Sequence, residues 1–370
     1  MSKEHIRRIG IFCFYNLNGR AGRYIYRLLD VVTGVLDDIV IVSNSDISEK
    51  SYAQLKNYTD KIIKRKNVGF DAGAYKDIIL SGLIHLNEID ELLLFNDTFY
   101  WINNNIKEVF NTMRQKGYDI WGITQNNDPR VRRHLQSYFM VFTKKVLTSH
   151  VFMNFWKCLF TETKNINVII SNFEIGLTSY FESMGFSCGA YITADNNDVY
   201  NDCVELVCEK KCPVLKRKAL FSAAVSKEEL RRLFDYIETK ADYSLDFISD
   251  DLKNNQGIID IYTLGRENPK KYLSNITLQQ IKTAVKAYSN VKIYGITVCG
   301  IELSKAMPDK NIEFVVSDSH YDTQKINGIN VISYYGAKED DDTIMIVTLG
   351  YENCQKLKKI IDWKKVIYYW

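Results

Sequence analysis

No apolar run in this 370-residue chain is long enough to span a bilayer, so a transmembrane helix is not expected. Charge of one sign is also lacking. The 48 Lys and Arg against 45 Asp and Glu leave +3, too little to argue for a nucleic-acid partner. Eight cysteines are scattered along the chain, and reduced thiols are expected. Cys203, Cys208 and Cys212 cluster without C-x-x-C pairing and without a nearby His, which argues against structural zinc. Low-complexity tracts and repeats are missing too. The start, Met1-Ser2-Lys3-Glu4-His5, runs into an apolar segment with no secretory leader. A cytoplasmic protein is therefore expected, with peripheral contact at the inner face of the plasma membrane as an option.

What is present is an ordinary globular balance, 46% hydrophobic and 25% charged, in a chain too long for one usual core. Its 24 tyrosines suit sugar-binding surfaces and fill cores equally well. Apolar runs of strand length alternate with helical periodicity. Residues 8–16, 39–42 and 61–64 read as strands, as does Leu92-Leu93-Leu94-Phe95, with helical patterns between them. Further strands are expected at 119–124, 134–142 and 186–192, and helices at 106–116, 151–160 and 175–184. This alternation predicts an α/β fold, a mixed sheet with helices on both faces. Three sections follow: a sheet domain over 1–204, a helical linker over 205–289 and a small Rossmann-like α/β domain over 290–370. Ser226 and Glu229 have the spacing of a capping box at a helix start.

Ligands bind such sheets at the carboxyl ends of the strands. Asn16, Ser43, Asp46, Asp71 and Asp97 all fall at or just beyond predicted strand exits. Asp97, in Phe95-Asn96-Asp97-Thr98, has the chemistry to hold Mg²⁺ or Mn²⁺ against a diphosphate leaving group. Its alternative is a turn cap. Asp71 stands between Gly69 and a helix, where it either caps that helix or binds a hydroxyl. Gly69 permits close approach of a ligand, and Asn67 lies just upstream. His134, Gln136 and Ser137 form a polar strand edge after a basic loop that includes Arg130, Arg132 and Arg133. Glu174, ahead of an amphipathic helix, is the candidate general base or else stabilises a helix N-terminus.

Four segments resemble, in order, motifs of the rhamnan synthesis protein F family. They are Asn67-Val68-Gly69-Phe70-Asp71, Leu94-Phe95-Asn96-Asp97-Thr98, His134-Leu135-Gln136-Ser137-Tyr138-Phe139 and Phe173-Glu174-Ile175-Gly176-Leu177-Thr178. The resemblance covers about residues 8–195 and implies a GT-A-like glycosyltransferase domain. It implies Glu174 and Asp97 as catalytic residues. Together with Asn16 and Ser43, proposed from their place at strand exits, it puts Asn67, Gly69, Asp71, Asn96, His134, Gln136 and Ser137 around a nucleoside-diphosphate sugar. The donor it implies is dTDP-L-rhamnose, and the acceptor a lipid-linked glycan or cell-surface polysaccharide. Asn96 stands where the family plan has a second acid, which weakens the metal more than the site. A non-catalytic nucleotide-sugar or glycan-binding module is the alternative reading. An oxidoreductase using the C-terminal section is a third, although Tyr294-Gly295-Ile296-Thr297-Val298-Cys299-Gly300 lacks the dinucleotide glycine fingerprint. Asp318 is the candidate ribose-binding acid there, and Phe152, Phe155, Trp156 and Phe160 are a candidate lipid-facing stripe.

Overall fold

A strand covered on both faces must be apolar at every position, and the central runs of this chain meet that demand. The computed structural model describes residues 5–127, 131–193, 198–222, 224–265, 276–317 and 325–369. It divides the chain into two units, Met1–Gly265 and Arg266–Trp370. In the first unit the strands are β1 (Arg8–Phe14), β2 (Asp38–Ser43), β3 (Ile62–Lys64), β4 (Glu91–Asn96), β5 (Phe99–Trp101), β6 (Ile120–Asn126), β7 (His134–Leu135), β8 (Phe139–Thr143), β9 (Cys188–Ile192) and β10 (Val214–Lys216). The main sheet has the order β3-β2-β1-β4-β8-β6-β7, with β9 paired to β6. Strands β3, β2, β1 and β4 run parallel, and β8 is antiparallel to both β4 and β6. The expected mixed α/β sheet is observed.

Alternation along each strand feeds two cores. Phe12, Ile39, Ile41, Leu93 and Phe95 face one side with the Arg23–Thr33 and Ile106–Lys116 helices. Ile11, Val40, Val42, Leu92 and Leu94 face the other with the Phe70–Ser81, His150–Cys158 and Gly176–Ser183 helices. The first core also takes in Leu206, Leu230, Leu233, Phe234, Ile248 and Ile261. Residues 205–265 are thus part of this unit's core, in place of the expected linker, because their charged faces hide a regular apolar stripe. The capping box forms as its spacing predicts, with Ser226 and Glu229 bonded reciprocally at the head of the Lys227–Thr239 helix.

The predicted strand over 134–142 breaks into β7 and β8, since Gln136 and Ser137 turn their polar groups inward between them. Phe152, Phe155 and Trp156 are buried against Phe142, Phe173, Tyr180 and Phe181, so three of the four supposed lipid-facing aromatics are core. Only Phe160 is exposed. Arg130 lies outside the described residues, and Arg133 bonds Gln125 and pairs with Glu182. Among the described residues, no helix is long and apolar enough to cross a membrane.

The second unit holds β11 (Asn290–Tyr294), β12 (Asn311–Val316), β13 (Lys325–Ile326), β14 (Ile329–Ser333), β15 (Thr343–Val347) and β16 (Val366–Tyr368). Its order is β13-β14-β12-β11-β15-β16, parallel except for the β13 edge. This is the Rossmann-like arrangement expected of the C-terminal section. Thr297 caps the Val298–Lys305 helix and donates to the Thr348 carbonyl at 2.8 Å, tying β11's exit to β15's. Asp318 lies outside the described residues.

At the amino end of the first sheet, Arg8 and Glu91 on adjacent strands form a pair whose side chains are 9% and 11% exposed. Arg8 also donates to the Val35 carbonyl and lies 4.5 Å from the Phe110 ring centre. Breaking such a pair strands a buried charge. Glu91→Ala is expected to lose about 3–5 kcal/mol of stability in urea unfolding, and Arg8→Met/Glu91→Leu to recover most of it.

Candidate active site

The β4 strand delivers Asn96 and Asp97 to the carboxyl edge of the sheet, both buried. The Asn96 side chain bridges two neighbours. Its Nδ2 donates to Asp71 Oδ2 at 2.7 Å, and its Oδ1 accepts from the Thr98 N–H and hydroxyl at 3.1 and 2.6 Å. The Thr98 hydroxyl in turn accepts from Lys216 Nζ at 2.6 Å. Asp71, Asn96, Thr98 and Lys216 thus form one hydrogen-bonded string along the strand ends. The second acid of the expected motif is an amide here because the position must donate to Asp71, and a carboxylate cannot.

Asp71 is the second residue of the Phe70–Ser81 helix, whose N-cap is Gly69. One oxygen accepts from the Ala72 N–H and the other from Asn96, so Asp71 serves both helix and site. Burial raises its pKa above the ordinary carboxylate value, Asn96 and Ala72 pull it back, and the charge of Glu174 adds to the rise. The loop ahead of it is held by Arg65, which donates to the Val68 and Phe70 carbonyls and to Asn44 and pairs with Asp77. Two buried polar atoms here, Asn67 Oδ1 and the Tyr75 hydroxyl, have no partner among the described residues. Gly69 does not open toward a ligand. At φ +74 a Cβ would lie 2.4 Å from the Thr161 carbonyl oxygen, so the missing side chain makes room for the protein's own backbone.

Asp97 accepts from the Tyr24 hydroxyl at 3.2 Å, and its Oδ2 lies 3.7 Å from Arg217. Arg217 is gripped at the same time by Asp251, through Nε at 2.8 Å and Nη2 at 2.7 Å, and lies over the Tyr24 ring. Burial raises the Asp97 pKa, and Arg217 opposes the rise. Among the described residues, no three His, Cys, Asp or Glu side chains come together to hold an ion. A divalent ion prefers several free oxygen ligands, whereas Asp97 faces a guanidinium and a phenol, with Lys216 nearby. This donor set does not fit Mg²⁺ or Mn²⁺.

Glu174 lies in a π-helical turn, Ile170–Ile175, within a continuous helical run from Ile166 to Ser183. It is therefore not at a helix N-terminus, which removes the bland alternative. Its Oε2 accepts from the Ser137 N–H at 3.2 Å and from the Ser137 hydroxyl. His134 Nε2 lies 3.8 Å from Oε1. The His134 Nδ1 is 2.7 Å from the Arg132 carbonyl, so it carries the proton, and in the neutral ring Nε2 faces Glu174 bare. The Glu174 side chain keeps 27% exposure, enough to meet a ligand.

Other expected site residues are engaged elsewhere. Gln136 accepts from Thr124 at 2.6 Å, inside the sheet. The Ser43 hydroxyl donates to the Ser45 carbonyl. Asn16 closes its own turn through Asn18 and Arg20 and donates to Asn255. Beside Ser43, a cavity of about 360 Å³ at the ends of β2 and β3 is lined by Asn44, Ser45, Asp46, Lys64, Arg65 and Lys66. Lys216, Arg217 and Asp251 were missed. They lie more than a hundred residues from Asp97 in a stretch that reads as linker. The only hint was Val214-Leu215-Lys216-Arg217-Lys218, an apolar pair running into three cations.

Fold and site define an α/β protein with a charged, hydrogen-bonded site at the carboxyl edge of its sheet. The chain belongs to the rhamnan synthesis protein F family, whose model matches residues 39–293. An uncharacterized protein of Sinorhizobium fredii is 35% identical over 154 residues, covering 40% of this chain and 39% of that protein. The virulence protein VirA of Vibrio anguillarum is 27% identical over 204 residues, covering 50% of this chain and 59% of that protein. The chain thus spans less than two thirds of either relative's length. Solved structures with some similarity include a cytidylyltransferase from Leptospira borgpetersenii, with TM-score 0.34 and 12% identity over 63% of this chain and 95% of that one. Glucosyl-3-phosphoglycerate synthase from Mycobacterium tuberculosis has TM-score 0.33 and 11% identity over 50% and 69%.

Two predictions follow from the site's geometry. Gly69→Ala is expected to cost about 1–3 kcal/mol in chemical unfolding, from the left-handed backbone and the contact with Thr161. The second concerns pH. A carboxyl whose folded pKa is raised contributes stability at low pH that is lost as pH rises through that pKa. Wild-type stability measured relative to Asp71→Asn should therefore fall as pH rises above about 4, the ordinary carboxylate value, and a flat difference would refute the raised pKa.

Proposed function

We propose that this chain is a nucleotide-sugar glycosyltransferase acting by a single inverting displacement. The observation that carries the reading is Glu174, a partly exposed carboxylate fixed by both donors of Ser137 and set beside the Asp71 string at the sheet's carboxyl edge. The acceptor hydroxyl oxygen attacks the anomeric carbon as the bond from that carbon to the diphosphate oxygen breaks. The hydroxyl proton passes to Glu174, and the nucleoside diphosphate leaves with the bonding electrons. Ser137 holds the carboxylate in one orientation, so the proton is received at a defined position. In this reading Asp71 and Asn67 bind sugar or ribose hydroxyls, and the nucleoside end is assigned to the cavity lined by Asn44, Ser45 and Asp46.

Family membership supports a donor of the dTDP-L-rhamnose type and an acceptor among lipid-linked or cell-surface glycans, met at the cytoplasmic face of a membrane. The non-catalytic alternative lacks a use for so firmly held a glutamate. Glu174→Gln keeps one acceptor oxygen for Ser137 and should fold normally. Its turnover is expected to fall by about 10²–10⁴-fold, read as nucleoside diphosphate release with a panel of nucleotide sugars and a lipid-linked acceptor. Full turnover in this variant would remove the base assignment. Binding without release in the wild type would favour the module.

A further inference from the structure

We propose that Lys216, with Arg217 beside it, is the cation set that receives the donor's diphosphate, so that nucleotide binding needs no divalent ion. The inference rests on the glycosyltransferase reading and deepens it.

Lys216 ends β10, directly opposite Phe99 across the antiparallel pair with β5, which brings it to the Thr98 corner. It is only 8% exposed. Of the three N–H donors on its ammonium, one reaches Thr98 Oγ1 at 2.6 Å, and the charge lies 4.3 Å from the centre of the Tyr138 ring. No carboxylate is within ion-pair distance of it among the described residues. A buried ammonium with donors to spare is costly unless something anionic completes it.

The charges around this site explain how the position is tolerated. Burial lowers the Lys216 pKa to about 8, while Glu174, Asp71 and Asp97 hold it up and Lys218 lowers it further. Those carboxylates are near enough to be felt but are tied to other donors. Arg217 is the neighbouring cation, and its charge is shared between Asp251 and Asp97. A diphosphate departing from the anomeric carbon gains negative charge that must be matched. The Asp97 Oδ2 faces Arg217 and the Tyr24 hydroxyl, and one carboxylate beside a guanidinium is not the multi-oxygen set a divalent ion takes. Lys216 has an unmatched charge and unused donors of the kind that phosphate oxygens accept.

The test is calorimetric titration of the full chain with thymidine and uridine diphosphates and with the free nucleosides, in EDTA and in Mn²⁺. The expected result is diphosphate binding in EDTA that Mn²⁺ changes little. Lys216→Met should weaken it by about tenfold or more, Lys216→Arg should restore part of it, and nucleoside binding should be unchanged. The wild type provides a measurement that needs no variant: diphosphate affinity should fall between pH 7 and 9, as Lys216 loses its proton, with nucleoside affinity constant. Binding that vanishes in EDTA, returns with Mn²⁺ and ignores Lys216→Met would overturn the inference and leave the glycosyltransferase reading intact. If neither diphosphates nor nucleotide sugars bind the folded wild type, the reading itself falls, and the inference with it.

Discussion

The hydrogen bond from the Asn96 amide to Asp71 is the contact on which the rest of the site depends. It joins the end of a central strand to the first turn of the Phe70–Ser81 helix and makes a half-buried carboxylate tolerable. The same amide, through its oxygen, fixes Thr98, and Thr98 fixes Lys216. With a carboxylate at 96, two like charges would meet and, among the described residues, Asp71 would keep only the Ala72 N–H as a donor. The amide is thus required by its neighbours.

Much of this architecture was legible in the sequence. Continuous apolar runs marked β1, β2 and β4, and their polar exits marked the sheet edge. Ser137 and Asp97 were visible as polar residues at strand ends, whereas Glu174, expected ahead of a helix over 175–184, lies inside a helical run that begins at Ile166. The cations were not, because Lys216 and Arg217 reach the site through a short strand paired with β5 more than a hundred residues earlier. Local periodicity has no access to such pairing. Gly69 was misread for a related reason. A glycine in sequence announces close approach, but only the fold says whether the visitor is a ligand or, as here, the carbonyl of Thr161.

Residues 205–265 gain their meaning from the same distance effect. Asp251 lies on the Leu245–Gln256 helix, accepts from the Tyr100 hydroxyl and from Nε and Nη2 of Arg217, and is buried. A stretch that looks like a solvated connector in sequence closes one face of the sheet and orients a cation against Asp97. Its charges are those of a framework, arranged around a few fixed pairs.

The wide helical turn at Ile170–Ile175 has a consequence for how this chain can vary in length. Ile169, Phe173, Leu177 and Phe181 are all buried at four-residue spacing. In a regular α-helix each such step drifts by about 40° around the axis, so the four would spiral off a single face. The wide turn takes back part of that drift. It lets one helical run keep an apolar seam in phase while Glu174 and Thr178 still meet Ser137 and Leu135. The residue count across this turn is therefore a phase setting. Removing one residue would leave the composition almost unchanged and the helix intact, yet it would force a choice between the seam and the carboxylate.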